Sequence, residues 1–305
     1  MARIAYLGPE GTFTEAALLR MAAAGAVPRG GEITPHPTET TPSAIESVRS
    51  GAADFACVPI ENSIEGSVLP TLDSLAAGSP LQIYAELTLD VAFSIVVRPG
   101  MSAAQVRSVA AFPVAAAQVR RWLAAELPEA EVVLTNSNAA AARDVADGRC
   151  DAGVSTALAA RRYGLPTLAE GVVDEPNART RFVLVGPVGR PPARTGNDRT
   201  SVVLQLDNAP GALVSAMTEF SIRDIDLTRI ESRPTRTGLG TYIFFLDCVG
   251  HIEDNAVAEA LKALHRRCAD VRYLGSWSTG AALGALPPKP DEADRWLAGL
   301  REGTA

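Results

Sequence analysis

Short apolar runs alternate with longer segments of helical spacing through the first half of the chain. Residues 3–7 form an apolar strand that ends at Gly8-Pro9-Glu10-Gly11, and Ala16, Leu18, Leu19 and Met21 then mark a helix. Thr12 and Glu15 have the spacing of a capping box that opens this helix. A further helix starts at Thr41-Pro42, with proline in its first turn, and stops near Gly51; residues 55–60 form a second short strand. Helix follows strand repeatedly, which favours a mainly parallel sheet. A helix, Gly51-Ala52-Ala53-Asp54 and a strand are echoed by a helix, Gly148-Arg149-Cys150-Asp151 and a strand from Ala152. Glycine after a helix and aspartate before a strand are common punctuation; the alternative is a pair of similar lobes. Two α/β lobes would hold a ligand in the cleft between them, at the carboxyl ends of the strands. A strand at 181–185 would return the chain to the first lobe.

Residues 187–198, with Pro187, Gly189, Pro191, Pro192 and Gly196, show no periodicity and read as a linker. Beyond them come a strand (201–206), a helix (211–220), two strands (225–232, 241–249), an amphipathic helix (256–267) and a last strand (271–274). That βαββαβ order is the ferredoxin-like pattern. The expected fold is therefore α/β, in these parts. A two-lobed parallel-sheet domain covers 1–188, with lobe 1 at about 1–78 plus 170–188 and lobe 2 at about 79–169. A linker (189–199), a ferredoxin-like domain (200–279) and a tail (280–305) with a short helix at 291–300 follow.

Composition narrows the chemistry. Net charge is -7, from 28 Lys+Arg against 35 Asp+Glu, with the basic residues dispersed, so neither nucleic acid nor a membrane is an expected partner. The opening Met1-Ala2-Arg3-Ile4-Ala5-Tyr6 runs straight into a strand, without a signal peptide, and no apolar stretch is long enough to span a bilayer. Cys57, Cys150, Cys248 and Cys268 are widely spaced and read as reduced thiols of a cytoplasmic protein. The only lysines are Lys262 and Lys289, which removes a phosphate-loop or Schiff-base lysine from the first two-thirds. His36, His251 and His265 have no metal-ligand spacing, so no metal and no cofactor are expected.

Two runs carry the candidate chemistry: Val58-Pro59-Ile60-Glu61-Asn62-Ser63-Ile64-Glu65-Gly66-Ser67, and Thr180-Arg181-Phe182 at the head of a strand. They offer hydroxyls, an amide, one guanidinium and an aromatic wall. Such a set can hold an organic acid and donate hydrogen bonds to a departing oxygen, but it is poor at stripping protons.

With Gly8-Pro9-Glu10-Gly11-Thr12-Phe13-Thr14, Pro210-Gly211-Ala212-Leu213 and Glu231-Ser232-Arg233-Pro234, these runs resemble the monofunctional prephenate dehydratases with a C-terminal ACT regulatory domain. The resemblance extends from Ile4 to Trp277. It implies a periplasmic-binding-protein-like catalytic domain that converts prephenate to phenylpyruvate, with loss of carbon dioxide and water, under inhibition by L-phenylalanine. It also implies Thr180 as hydrogen-bond donor to the leaving hydroxyl, Arg181 as a carboxylate clasp and Phe182 as an apolar wall. Substrate contacts would come from Asn62, Ser63, Thr12, Gln118 and Ser137. Asn62, Ser63 and Thr12 could equally be turn and helix caps. Where the family often carries Ser-His-Pro and then Gln-Cys, this chain has Ala111-Phe112-Pro113 and Gln118-Val119.

Carried over in the same way, Gly211, Ala212 and Leu213 with Glu231, Ser232, Arg233 and Pro234 line a phenylalanine site between ACT domains of two subunits. A homodimer or tetramer is expected, since side-by-side pairing would protect an edge strand. The effector signal is expected to pass through the linker. Two alternatives remain: an arogenate dehydratase on the same fold, and a two-lobed ligand-binding protein with an amino acid sensor and no catalysis.

Overall fold

In the computed structural model the chain begins β1 (Ala2–Leu7), α1 (Phe13–Ala23), β2 (Ile33–Thr38), α2 (Thr41–Arg49) and β3 (Phe55–Asn62). A two-residue β4 (Gly66–Ser67), α3 (Leu69–Ala76) and β5 (Leu81–Asp90) follow. Next come β6 (Phe93–Val97), β7 (Ser108–Ala111), α4 (Pro113–Gln118), α5 (Arg120–Glu126), β8 (Glu131–Leu134), α6 (Asn138–Ala146), β9 (Ala152–Ser155), α7 (Ala157–Tyr163) and β10 (Thr167–Val172). Strand β11 (Arg179–Pro187) leads to β12 (Asp198–Gln205), α8 (Ala212–Ser221), β13 (Leu227–Pro234), β14 (Tyr242–Val249), α9 (Asn255–Arg267), β15 (Asp270–Ser278) and α10 (Glu292–Glu302). Residues 1–28, 30–235, 241–280, 284–286 and 292–304 are described, so the tail expected at 280–305 falls partly outside them. Among the described residues no helix is long and apolar enough to cross a membrane.

The chain forms two units, Met1–Leu72 with Leu87–Val185, and Asp73–Glu86 with Gly186–Ala305. Unit 1 is built on two sheets. The first has the order β2-β1-β3-β11-β5, with β4 against β3 and only the last residues of β5, from Leu87, inside this unit; the second has the order β10-β6-β9-β7-β8. Each sheet has a parallel trio, β2-β1-β3 and β9-β7-β8, where a helix carries the chain back to start the next strand. Strand β11 re-enters the first sheet from the second lobe and so lies antiparallel to β3. The sheets are mixed rather than mainly parallel. Strand β5, expected in the second lobe, belongs to the first sheet.

The internal echo has a shared physical purpose. The Asp54 carboxylate accepts the Arg3 amide at the start of β1 (2.8 Å). The Asp151 carboxylate accepts the amides of Arg107 (3.0 Å) and Ser108 (3.1 Å) at the start of β7. In each lobe, the aspartate before one strand satisfies the first donors of its parallel neighbour, which would otherwise be orphaned.

The lobes of unit 1 are joined by a buried carboxylate. Thr12 caps α1 by accepting the Glu15 amide (3.4 Å), as expected. The Glu15 side chain, however, accepts the Gly11 amide rather than closing the capping box on Thr12. Glu15 also takes Arg162 of α7 (3.2 Å), whose guanidinium reaches Glu10 as well (2.6 Å). Beside it the Thr156 hydroxyl donates to the Gly11 carbonyl (2.5 Å).

Unit 2 is a four-stranded sheet of order β13-β14-β12-β15. Val202, Leu204, Leu246 and Cys248 pack against Phe220 of α8 and Val257 and Leu264 of α9. Asp247 is buried, receiving Arg229 through two bonds (2.9 and 2.8 Å) and Arg199 (3.1 Å). Glu86 accepts the Trp277 indole (2.9 Å) and pairs with Arg199 (3.2 Å). The linker is pinned rather than loose. His251 Nδ1 accepts the Glu253 amide, so its Nε2 donates to the Pro192 carbonyl (3.0 Å), and Arg194 pairs with Asp254 (2.7 Å).

Two substitutions test this packing. Gly275 has φ +132° and a Cβ there would collide with the Ile83 carbonyl oxygen, so Gly275→Ala is expected to cost roughly 2–3 kcal/mol. Glu15→Ala leaves the Gly11 amide without its acceptor and Arg162 with Glu10 alone, and is expected to cost about 1.5–3 kcal/mol. Urea unfolding followed by intrinsic fluorescence and circular dichroism would read both; midpoints unchanged from the parent would contradict these assignments.

Candidate active site

A cavity of about 890 Å³ opens between the two sheets of unit 1. Its walls come from three directions. Thr12, Phe13 and Thr14 bring the N-terminus of α1, while Ser137, Asn138 and Ala140 bring that of α6. Ser137 caps α6 by accepting the Ala140 amide (3.0 Å), and the hydroxyl of Thr12 is likewise engaged in capping α1. The remaining first-turn amides of both helices have no partner in their own helix and carry the positive ends of the helix dipoles. Two such ends converging on one cavity favour an anion with two charged groups.

The third wall is β3 with β11. Thr180 and Phe182 face the cavity together with Pro59, and Phe182 pairs with Pro59 in the sheet register. Arg181 lies between them in sequence and does not line the cavity. It is buried and its guanidinium pairs with Glu61 (2.8 Å). Strand alternation explains this: neighbours of a cavity-facing residue point to the opposite side.

Asn62 stands directly opposite Thr180 in the register. Its amide oxygen accepts the backbone amides of Ile64 (2.8 Å) and Glu65 (3.0 Å). The amide orientation is thereby set, and its nitrogen donates to Thr180 Oγ1 (2.9 Å). Because Thr180 Oγ1 already accepts a bond, its own hydrogen is directed elsewhere, and no acceptor among the described residues takes it. Thr180 is therefore a polarised donor at the cavity wall.

Other expected contacts fall outside the wall. Ser63 donates to the Asn177 carbonyl (3.1 Å) and accepts the Arg179 amide (2.9 Å), fastening the entry of β11. Gln118 is buried in α4 and is not among the lining residues; its side-chain oxygen has no hydrogen-bond partner among the described residues. Arg143, which the sequence reading missed, is the one cation among the described lining residues. The available signal was its place on α6, one turn after Ala140 on the cavity side. Phe112 also lines the cavity and opens α4.

The surroundings offer little nucleophilic chemistry. Cys57 lies beneath the cavity with its thiol toward the Thr14 carbonyl (3.8 Å), and burial pushes that thiol up to about 12. It stays protonated at neutral pH and cannot act as a thiolate. Glu10 and Glu39 line the cavity as well, Glu10 paired with Arg162.

In unit 2, Gly211 precedes α8 with φ +81° and open space around its α-carbon. Glu231, Ser232, Arg233 and Pro234 lie at the end of β13, the edge strand, and Ala212 and Leu213 begin α8. Arg233 is already engaged, through two bonds to Asp73 (3.0 and 2.9 Å).

Comparison with known proteins agrees with this geometry. The prephenate dehydratase profile matches residues 4–189 and the ACT domain profile residues 200–266. A prephenate dehydratase of Mycobacterium sp. (strain JLS) is 74% identical over 307 residues, covering 99% of this chain and 97% of the relative. One from Mycobacterium tuberculosis (strain ATCC 25177 / H37Ra) is 71% identical over 305 residues, covering 99% and 95%. The crystal structure of the Arthrobacter aurescens prephenate dehydratase in complex with L-Phe superposes with a TM-score of 0.87 at 39% identity, covering 99% of this chain and 98% of that one. The chain belongs to the prephenate dehydratase family of hydro-lyases, with a C-terminal ACT domain.

Proposed function

We propose that this chain converts prephenate to phenylpyruvate, carbon dioxide and water in the unit 1 cavity, and that L-phenylalanine acting on the ACT domain restrains it. The observation that carries the reading is Thr180, oriented by Asn62, in a cavity that also receives two helix N-termini and Arg143. Prephenate is a dianion, and its two carboxylates fall to the helix ends and the Arg143 guanidinium. In the reaction the bond from the ring to its carboxylate breaks, and that electron pair completes the aromatic ring. The ring C–O bond breaks in the same sense, and its oxygen leaves as water once it has gained a proton. No carbon acid is deprotonated, so no strong base is needed. Thr180 donates a hydrogen bond to the departing oxygen, and solvent ultimately supplies the proton. Phe182, Phe13 and Phe112 limit water around the carboxylate that must become uncharged carbon dioxide.

In this reading catalysis belongs to unit 1, within the expected 1–188, and regulation to the expected 200–279 of unit 2, which also takes in residues 73–86. Arg181 supports the site through Glu61, and Ser63 through the entry of β11. Gln118 shapes the second lobe. Phenylalanine meets Gly211 and the β13 end, its carboxylate at the start of α8 and its ammonium toward Glu231. Two subunits pair along β13, an edge strand where Ile230 (54%) and nearby Tyr242 (47%) expose apolar surface. The protein works in the cytoplasm, where its four unpaired thiols stay reduced. Arogenate, which carries an ammonium in place of the ketone, is the competing substrate, and Glu39 at the cavity is the group that would favour it.

Phenylpyruvate formation from prephenate, with arogenate assayed in parallel, tests the reading. Thr180→Val is expected to lower kcat by about 10²–10³ with little change in KM, and Thr180→Ser to retain most activity. Arg143→Gln is expected to raise KM by roughly tenfold or more with a smaller effect on kcat. A Thr180→Val enzyme with parental turnover, or a strong preference for arogenate, would overturn the assignment.

A further inference from the structure

Among the described residues that line the unit 1 cavity, three are charged: the carboxylates Glu10 and Glu39, and the single cation Arg143. By themselves these walls would be net negative, which opposes the binding of a dianion. Glu10, however, is met by a guanidinium that does not itself line the cavity. Arg162 places Nη1 on Glu10 Oε2 (2.6 Å) and Nη2 on Glu15 Oε1 (3.2 Å). Close backbone packing puts it there. Gly11 has φ +89°, and a Cβ on it would lie 3.0 Å from the Ala159 Cβ, so α7 comes nearer the Gly11 backbone than a side chain would readily allow. The Thr156 hydroxyl, which caps α7, fastens the same contact by donating to the Gly11 carbonyl. Ala159 and Arg162 are one turn apart on the same face of α7, so seating Ala159 on Gly11 brings Arg162 to Glu10.

The two carboxylates depend on Arg162 to different degrees. Glu15 is buried in the first turn of α1 and accepts the Gly11 amide, so the positive end of the helix already offsets much of its charge. Glu10 has no such support, and among the described residues Arg162 is its one ion-pair partner. Tyr6 is buried beside the cluster. Burial first, and then the Glu15 and Glu10 charges, hold its phenol well above the ordinary range, so it stays neutral and adds no charge.

We propose that Arg162 is a positioning residue that sets substrate specificity: by pairing with Glu10 it removes a carboxylate charge from the cavity, which then favours a dianion over an analogue carrying an ammonium. Prephenate has two carboxylates and no compensating cation. Arogenate has the same two carboxylates and an ammonium where prephenate has its ketone, so its net charge is one unit less negative. An uncompensated Glu10 would repel the first and attract the ammonium of the second. Arg162 touches neither ligand; it acts through Glu10 alone. This inference rests on the reading that the unit 1 cavity holds prephenate.

The test uses the full chain and compares two ligands. KM and kcat are measured for prephenate, and arogenate is measured as a competitive inhibitor of prephenate turnover. Arg162→Gln is expected to raise the prephenate KM by roughly fivefold or more, with a smaller change in kcat, and to shift the ratio of the two affinities toward arogenate by at least that factor. A merely structural role would weaken both ligands alike and leave the ratio unchanged. Adding Glu10→Gln to Arg162→Gln is expected to bring the ratio back to within about twofold of the parent, although Glu15 still lacks its guanidinium. Combining Arg162→Gln with Glu15→Gln relieves the buried carboxylate and serves if the single variant folds poorly; the shift toward arogenate persists there, because Glu10 is still uncompensated. A parental ratio in the folded variant, or a shift that Glu10→Gln does not reverse, overturns this inference alone. A parent enzyme that does not turn over prephenate overturns the reading of the cavity and this inference with it.

Discussion

Strand β11 comes back from the second lobe, lies antiparallel to β3 and sets Thr180 opposite Asn62, and most of what the cavity can do follows from that pairing. The two residues are 118 positions apart in sequence. Held in register, the amide of one orients the hydroxyl of the other, and the backbone amides of Ile64 and Glu65 settle which way the amide points. The same alternation turns Phe182 into the cavity and Arg181 away from it. A one-residue slip would reverse the faces and place a guanidinium where the donor stands.

The cavity carries few charged side chains for a site proposed to hold a dianion: Glu10, Glu39 and Arg143 among the described lining residues. Among the described lining residues Arg143 is the only cation, and two helix N-termini supply oriented amides in place of others. Oriented dipoles suit this chemistry, because one carboxylate must lose its charge as carbon dioxide leaves. A tightly held ion pair on that carboxylate would oppose the loss, whereas fixed amides need little reorganisation when charge moves. Glu15 has the complementary duty. Its carboxylate, buried between α1 and α7, satisfies the Gly11 amide and Arg162 and so sets how the two lobes meet around the site.

In unit 2 buried charge serves structure in a comparable way. Asp247 binds two arginines, and Glu86 brings the first residues of β5 against Arg199 and Trp277. Breaking such a network leaves an uncompensated charge, so its members hold the geometry strictly. The stretch from Asp73 to Glu86, early in the chain, thereby becomes part of a unit otherwise composed of residues after Val185.

Local chemistry determined much of this protein before any folding is considered. The strand–helix alternation, the Thr12 cap, the paired Asp54 and Asp151 turns and the βαββαβ order depend on nearest neighbours, and each is legible in sequence. The motif runs likewise picked out Thr12, Thr180 and Phe182, and a helix start picked out Ser137; all four line one cavity. Only the tertiary structure decided the rest. Whether Arg181 clasps a ligand or pairs with Glu61 depends on which face of β11 is inward, and periodicity gives two equal choices until a partner strand is present. That β5 joins the first sheet, that Arg143 reaches the cavity and that Arg233 meets Asp73 across 160 residues are matters of long-range contact. Propensity and spacing act over a few residues; these outcomes were chosen by which buried charges and strand edges could be satisfied together.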